Sequence, residues 1–278
     1  MPVVDSQSSS PARAQVVVPL RHSLYLNVRA AVLGGAIGYA FWFVAHNPRY
    51  FWPVVGGTAA LTIFATLWTS QASFAKPYRL NYLILPLVLL ASSLFFFLLL
   101  KNPSYQLIFV AVIGAIYWYF FRSFAELREH PSPEKKKGFT QALDVVTSVT
   151  MFLALASLQE LYFFFSWKVW AFVLTGALLS AAFLYQSFWY HRLITLRAWV
   201  FIMVGALAFI EILWAVAVLP TGYLTNTLLS VAALFVIQSL AVASLRGLLK
   251  SRTVLENLGI AALIVIIALF SSRWTPLA

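Results

Sequence analysis

The sequence predicts an all-α fold: a polytopic transmembrane helical bundle of about nine spans, with a cytoplasmic N-terminus and a C-terminus outside. Three observations lead there. The chain is 62% hydrophobic and only 10% charged. Apolar runs of spanning length recur from end to end. Lys and Arg fall very unequally between the two sets of segments joining those runs. A soluble domain carries roughly 25% charged residues, and even a ~300-residue globule leaves about a quarter of its unfolded-chain surface in water. Lipid is the solvent that suits this composition.

Residues 1–20 are rich in Ser and Pro and read as a disordered cytoplasmic tail, leaving 21–278 as a single transmembrane helical domain. The first apolar run has no clear small-residue cleavage site, so it reads as a span rather than a signal peptide. A spanning helix needs about 20 mostly apolar residues. The candidate runs are 26–45, 51–69, 81–100, 104–121, 142–165, 168–187, 198–219, 223–245 and 255–272. Pro86 and the Gly34/Gly38 pair do not argue against helices in lipid, where neighbouring helices satisfy freed backbone groups. The ninth run is the least regular at its start, which holds Glu256 and Asn257.

With the N-terminus inside, fifteen of the 19 Lys and Arg residues fall on the cytoplasmic side. Arg49, Lys101, Lys168 and Arg273 fall outside. This asymmetry orients the bundle, because cytoplasmic loops retain positive charge. The longest connection, 122–141, carries Pro131, Pro133 and the Lys135–Lys137 run, and reads as a basic cytoplasmic loop in contact with anionic headgroups. Arg29, at the start of the first span, has the reach to snorkel to the same headgroups. Aromatic residues gather at the run ends, among them Trp42, Trp52, Trp68, Tyr117, Trp167, Trp170 and Trp189, and read as interfacial belts. Gly57, Gly114, Gly176 and Ala232 recur about every 60 residues, which is consistent either with a parallel duplication of hairpins or with the uniform length a membrane imposes.

The net charge of +11 does not point to nucleic acid, because the cations sit in short loops between apolar runs. The absence of cysteine excludes disulfides, thiolate catalysis and cysteine metal sites. No HExxH, Walker A or Rossmann glycine motif occurs, nor a GxSxG nucleophile elbow. The four histidines lie outside the runs. No catalytic residue, metal site or cofactor is therefore assigned, and enzymatic activity is not favoured.

The residues that could carry binding or coupling are Glu211, Glu160, Asp144 and Gln238. Glu211 lies deep in the seventh run, where a charge costs at least ~2.5–3.5 kcal/mol near a helix centre. It is expected to face the bundle interior, with Ala208 and Ala215 admitting a neighbouring helix. It reads either as a proton, cation or substrate site or as a carboxyl bonded to that helix. Glu160, near the outer end of the fifth run, is expected to mark the interface or to meet Lys168 or Arg49, and the two glutamates could form a paired carboxyl site. Asp144, with Thr147 and Ser148 on its face, reads as a complement to a helix N-terminus. Gln238 reads as an interhelical hydrogen-bonder.

Three functions fit these residues. A transporter or permease-like role for a small or amphipathic solute is favoured. The alternatives are a non-catalytic scaffold that binds lipid or a partner and an enzyme acting on a lipid. Compact loops, and the lack of any Asn-x-Ser/Thr site with x other than Pro, suggest a bacterial inner membrane.

Overall fold

The computed structural model describes residues 20–70, 81–129 and 132–271. Among them are nine α-helices, a short 3-10 turn at Pro48–Tyr50 and no strands: α1 Leu20–His46, α2 Phe51–Ser70, α3 Asn81–Leu99, α4 Pro103–Glu129, α5 Pro133–Phe165, α6 Val169–Tyr190, α7 Leu196–Ala217, α8 Tyr223–Leu245 and α9 Ser251–Ser271. Each contains a segment long and apolar enough to cross a membrane, so the chain is a multi-pass integral membrane protein. The tail expected at 1–20 lies outside the described residues except for Leu20, where α1 already begins. Arg273, placed outside by the charge rule, is also not described.

The helix starts follow local chemistry. Asn102 accepts the Ser104 N–H through Oδ1 at 2.9 Å just before α4. Ser132 accepts the Lys135 N–H at the start of α5, and Thr195 accepts that of Ala198 at the start of α7. Each bond satisfies one of the N–H groups that a helix start leaves open. Pro103 and Pro133 occupy first-turn positions, where the missing N–H costs nothing.

The connection expected at 122–141 is a correction. α4 continues to Glu129 and α5 begins at Pro133, so most of this polar stretch is helical. Pro133 opens a helix here instead of breaking one. Glu126 pairs with Arg122 at 2.8 Å along α4, and Lys135 reaches the same carboxylate at 2.7 Å from α5. The two helices thus extend beyond their apolar segments and are pinned together.

α5 is the central element. It packs against α3, α4, α6 and α8, and the unbroken run Leu153–Glu160 is buried on every side. The small side chains of Ala154, Ala156 and Ser157 let neighbours approach around the whole circumference. Phe139, Leu143, Val146 and Leu153 belong to a core shared with α1–α4. Met151, Ala154, Leu155 and Leu158 belong to a second core with α6–α8. α9 packs mainly on α8 and is the least enclosed helix.

Close backbone contact joins α1 to α4, the most extensive pairing in the bundle. A Cβ on Gly34 would stand 2.4 Å from the Gly114 carbonyl oxygen and 2.9 Å from the Trp118 backbone nitrogen, and one on Gly38 would stand 3.3 Å from the Val110 carbonyl oxygen. The Gly34/Gly38 spacing is a small-xxx-small contact of the kind that lets membrane helices pack by van der Waals force.

The duplication reading does not survive. Gly114 and Gly176 meet neighbouring helices, whereas a Cβ on Gly57 would meet nothing within 4 Å. α1 packs far more on α4 than on its sequential partner α2, and α3 packs mainly on α5, so consecutive hairpins are not repeated units. The belt reading needs one correction as well. Tyr117 is fully buried and donates its hydroxyl to the Pro86 carbonyl at 2.8 Å. Trp52, Trp170 and Trp214 are exposed, as residues facing lipid or headgroups would be. Arg29 lies with its guanidinium 5.0 Å above the Trp68 ring, a cation–π contact.

Gly34→Ala is expected to lower the thermal stability of the purified protein by about 1–3 kcal/mol, as overpacking against fixed backbone does. Gly35→Ala, where a Cβ meets open space, is expected to leave stability unchanged. Equal melting temperatures for the two variants would refute the close α1–α4 contact.

Candidate functional site

Helix α5 carries two adjacent polar residues in its most enclosed stretch. Gln159 is fully buried and Glu160 is 5% exposed. They lie near the end of the bundle formed by the short turns 100–102, 166–168 and 218–222. The Gln159 amide donates weakly to Ser230 Oγ of α8 at 3.5 Å. Ser230 in turn donates to the Asn226 carbonyl at 2.8 Å. Thr221, in the α7–α8 turn, donates to Asn226 Oδ1. One turn along α5, Ser157 donates to the Ser92 carbonyl of α3 at 3.3 Å. Asn226 and Ser230, four residues apart, share one face of α8, and Ser230 on that face meets Gln159.

Three buried polar atoms in this cluster have no partner: Glu160 Oε2, Gln159 Oε1 and Asn226 Nδ2. Exchanging O and N in either amide only moves the deficit to the other atom. Such groups are costly in a water-poor interior. The Glu160 oxygen is an open site in either amide assignment. Lys101, in the α3–α4 turn, is the cation acting on the Glu160 carboxyl, and Tyr223 at the start of α8 lies within the field of that carboxyl. Among the described residues Glu160 forms no ion pair with Lys168 or Arg49, and Lys101 is the cation whose field reaches it. Glu160 is buried in the bundle and does not simply mark an interface.

Glu211 is a second correction. It is exposed on the outer side of α7 and has no hydrogen bond or ion pair among the described residues. The buried face of α7 is Ala198, Ile202, Gly205, Ala206, Phe209, Leu213, Val216 and Ala217. At about 100° per residue these positions lie on the opposite side of the helix from 211. The close approach expected at Ala208 and Ala215 occurs instead at Gly205, where a Cβ would stand 2.8 Å from Leu184 Cδ1 and 3.0 Å from Ile237 Cγ2. Glu160 and Glu211 do not form a carboxyl pair, since one is enclosed and the other faces outward.

Asp144 is a third correction. With α5 beginning at Pro133, Asp144 lies well past the first turn and cannot complement the helix start. Its Oδ1 accepts from the Tyr190 hydroxyl at 3.2 Å and lies 3.5 Å from His191 Nε2. Arg246 Nη2 lies 2.7 Å from His191 Nδ1. A guanidinium only donates, so Nδ1 accepts and the ring carries its proton on Nε2, toward Asp144. Tyr190 also reaches Thr147. Nearby, Gln238 donates to Ser187 Oγ at 2.9 Å, the interhelical bond its position in α8 suggested. The Gln186 amide donates to the Asn81 carbonyl, and Asn81 donates to the Tyr185 hydroxyl. This network clasps the start of α3 and the first half of α5 to the ends of α6 and α8.

Residue-by-residue reading singled out Glu160 and Asp144 but missed Asn226, Ser230 and Thr221, and likewise Tyr190, His191 and Arg246. The 226/230 spacing on an apolar helix was the available signal for the first group. Nothing in the sequence paired His191 with Arg246 across separate connections. Among the described residues, no three His, Asp or Glu gather where a metal ion could be held. The chain matches no protein-family model, no curated protein and no solved structure.

The two networks differ in a measurable way. Glu160→Leu removes an unsatisfied buried group and is expected to raise unfolding stability by about 1–3 kcal/mol. Asp144→Ala removes a satisfied acceptor from a half-exposed clasp and is expected to lower it by about 1 kcal/mol. Thermal unfolding of the two purified variants beside the parent checks both signs. A destabilised Glu160→Leu protein would mean that the carboxyl is satisfied.

Proposed function

We propose that the chain is a transporter or permease-like protein for a small or amphipathic solute, with Glu160 as its binding or coupling residue. The supporting observation is the pair of partnerless buried polar atoms on Gln159 and Glu160, adjacent residues on the most enclosed helix, with a third on Asn226 of α8. Intramembrane ionisable residues are costly and tend to mark pathways. A solute with hydrogen-bond donors would satisfy the two open acceptors, and an acceptor on it would meet the Asn226 amide. Lys101, in the α3–α4 turn, is a cation within the field of the Glu160 carboxyl. Glu211, on the outer surface, is left out of this role.

We further place the N-terminus in the cytoplasm and the C-terminus outside, in a bacterial inner membrane, with the basic loops against anionic headgroups. The distribution of Lys and Arg supports this orientation. It sets the Glu160 cluster near the outer face and the Asp144–His191–Arg246 clasp near the inner one.

Glu160→Gln keeps shape and hydrogen-bonding capacity but removes the ionisable proton. In liposomes, with a solute identified by screening, this variant is expected to stay folded and to lose flux or its pH dependence by at least tenfold. Glu211→Gln is expected to transport as the parent does. Unchanged flux and unchanged pH dependence in Glu160→Gln would remove Glu160 from the mechanism, and the scaffold reading would then lead.

Orientation has its own test. A reporter fused after residue 278 is expected to signal from outside, and one inserted at the 130–132 turn from the cytoplasm. A cytoplasmic signal at the C-terminus would overturn the nine-span orientation.

A further inference from the structure

His191 caps the end of α6 and stands between two other helices. Its Nε2 lies 3.5 Å from Asp144 Oδ1 of α5. Its Nδ1 lies 2.7 Å from Nη2 of Arg246, the residue that caps α8. The imidazole is enclosed, with its side chain 11% exposed. Both helix ends are held by the same backbone closure. After His191 the chain turns through Arg192 at φ 59, and the Leu193 N–H donates back to the Phe188 carbonyl at 2.8 Å. After Arg246 it turns through Gly247 at φ 68, and the Leu248 N–H donates back to the Ala243 carbonyl at 2.9 Å. These closures satisfy the last carbonyls of each helix and fix where the two side chains start.

The two contacts make opposite demands on the ring. A guanidinium only donates, so Arg246 is bound only while Nδ1 keeps its lone pair and the ring is neutral. Asp144 is bound more strongly by a protonated ring, because the contact then joins two ions. The added proton would sit on Nδ1, the atom that faces Arg246. It removes the acceptor and sets two cations against each other, while the opposite edge of the ring gains an ion pair. Histidine is the side chain whose ordinary charge change falls between about pH 5 and pH 8.

The other charged or titratable groups around the ring leave this exchange intact. Tyr190 donates its hydroxyl to Asp144 Oδ1 at 3.2 Å and holds the carboxylate beside the ring. Arg192 in the α6–α7 turn, Arg197 at the start of α7 and Lys250 beyond α8 are exposed to solvent. From α3, the Tyr82 hydroxyl lies within the field of Arg192.

We propose that His191 is a pH-operated latch that exchanges partners between helices. Neutral, it ties the end of α8 to the end of α6 through Arg246. Protonated, it releases Arg246 and ties α6 to α5 through Asp144. At the opposite end of the bundle α8 meets α5 through Ser230 and Gln159, so the latch sets how firmly the far end of that helix is held. It responds to the compartment that bathes the 191–195 and 246–250 turns, and it does not depend on the transport reading.

The chain has no cysteine, so Ile194→Cys and Leu248→Cys, both exposed on the two turns, accept a pair of nitroxide labels in the full chain. Pulsed electron resonance reads the distance between the labels at about pH 8 and about pH 5, the limits of ordinary histidine titration. The expected result is a narrow distribution at the higher pH and a longer, broader one at the lower. Arg246→Ala is expected to give the broad distribution at both. His191→Gln, whose amide donates and accepts but does not titrate, is expected to abolish the difference between them. Thermal unfolding of unlabelled alanine variants supplies a second measurement through double-mutant cycles. The His191–Arg246 coupling is expected at the higher pH and lost at the lower, and the His191–Asp144 coupling is expected to grow as pH falls. A parent distribution that ignores pH, a shift that persists in His191→Gln, or couplings that do not change with pH would overturn the latch.

Discussion

The bundle depends on the enclosure of α5. A helical stretch buried around its full circumference, as Leu153–Glu160 is, must satisfy its neighbours on every side, and in a membrane it does so without a hydrophobic driving force between helices. Close packing of small residues replaces that force. Ala154, Ala156 and Ser157 let α3, α4, α6 and α8 approach together, and the two hydrophobic cores meet along this one helix. Gly34 against Gly114 does the same for α1 and α4. Where such contacts are absent, as along α9, a helix stays at the periphery.

The same enclosure gives polar groups on α5 their weight. On a peripheral helix, a glutamate and a glutamine near one end could turn toward headgroups or water. On α5 they are buried, with Gln159 bonded to Ser230 of α8, and one polar atom of each stays open. The network at the opposite end leaves one such atom, Gln186 Oε1, without a partner. Asp144, Tyr190, His191 and Arg246 form an unbroken donor–acceptor chain, which suits a clasp, whereas the Glu160 cluster suits an occupant.

Glu211 shows how an expensive residue can be read correctly as expensive and placed on the wrong side of its helix. Its cost in lipid follows from residue type and depth alone. Its direction follows from which face of α7 meets α6 and α8, and the small residues on that face, Ala198, Gly205 and Ala206, outweigh Ala208 and Ala215. The helical repeat then turns 211 outward. Counting small residues on both faces of the run would have exposed the choice, but not which neighbours would make it.

Composition and run length alone determined that this chain is helical and of multi-pass membrane type, and they pointed to the nine helices that, among the described residues, are long and apolar enough to span, because the requirement to satisfy backbone polar groups within lipid favours helices for apolar runs of that length. Local chemistry also reached some helix starts, such as the Asn102, Ser132 and Thr195 caps, although the charged stretch around Pro133 hid the length of α4 and α5. Only the tertiary structure decided that α5 is central, that Ser230 faces Gln159, that His191 meets both Asp144 and Arg246, and that Glu160 is enclosed while Glu211 is not. Nearly all-apolar helices have little amphipathic contrast, so the identity of the neighbours, set by small-residue contacts between distant segments, decides which face turns inward.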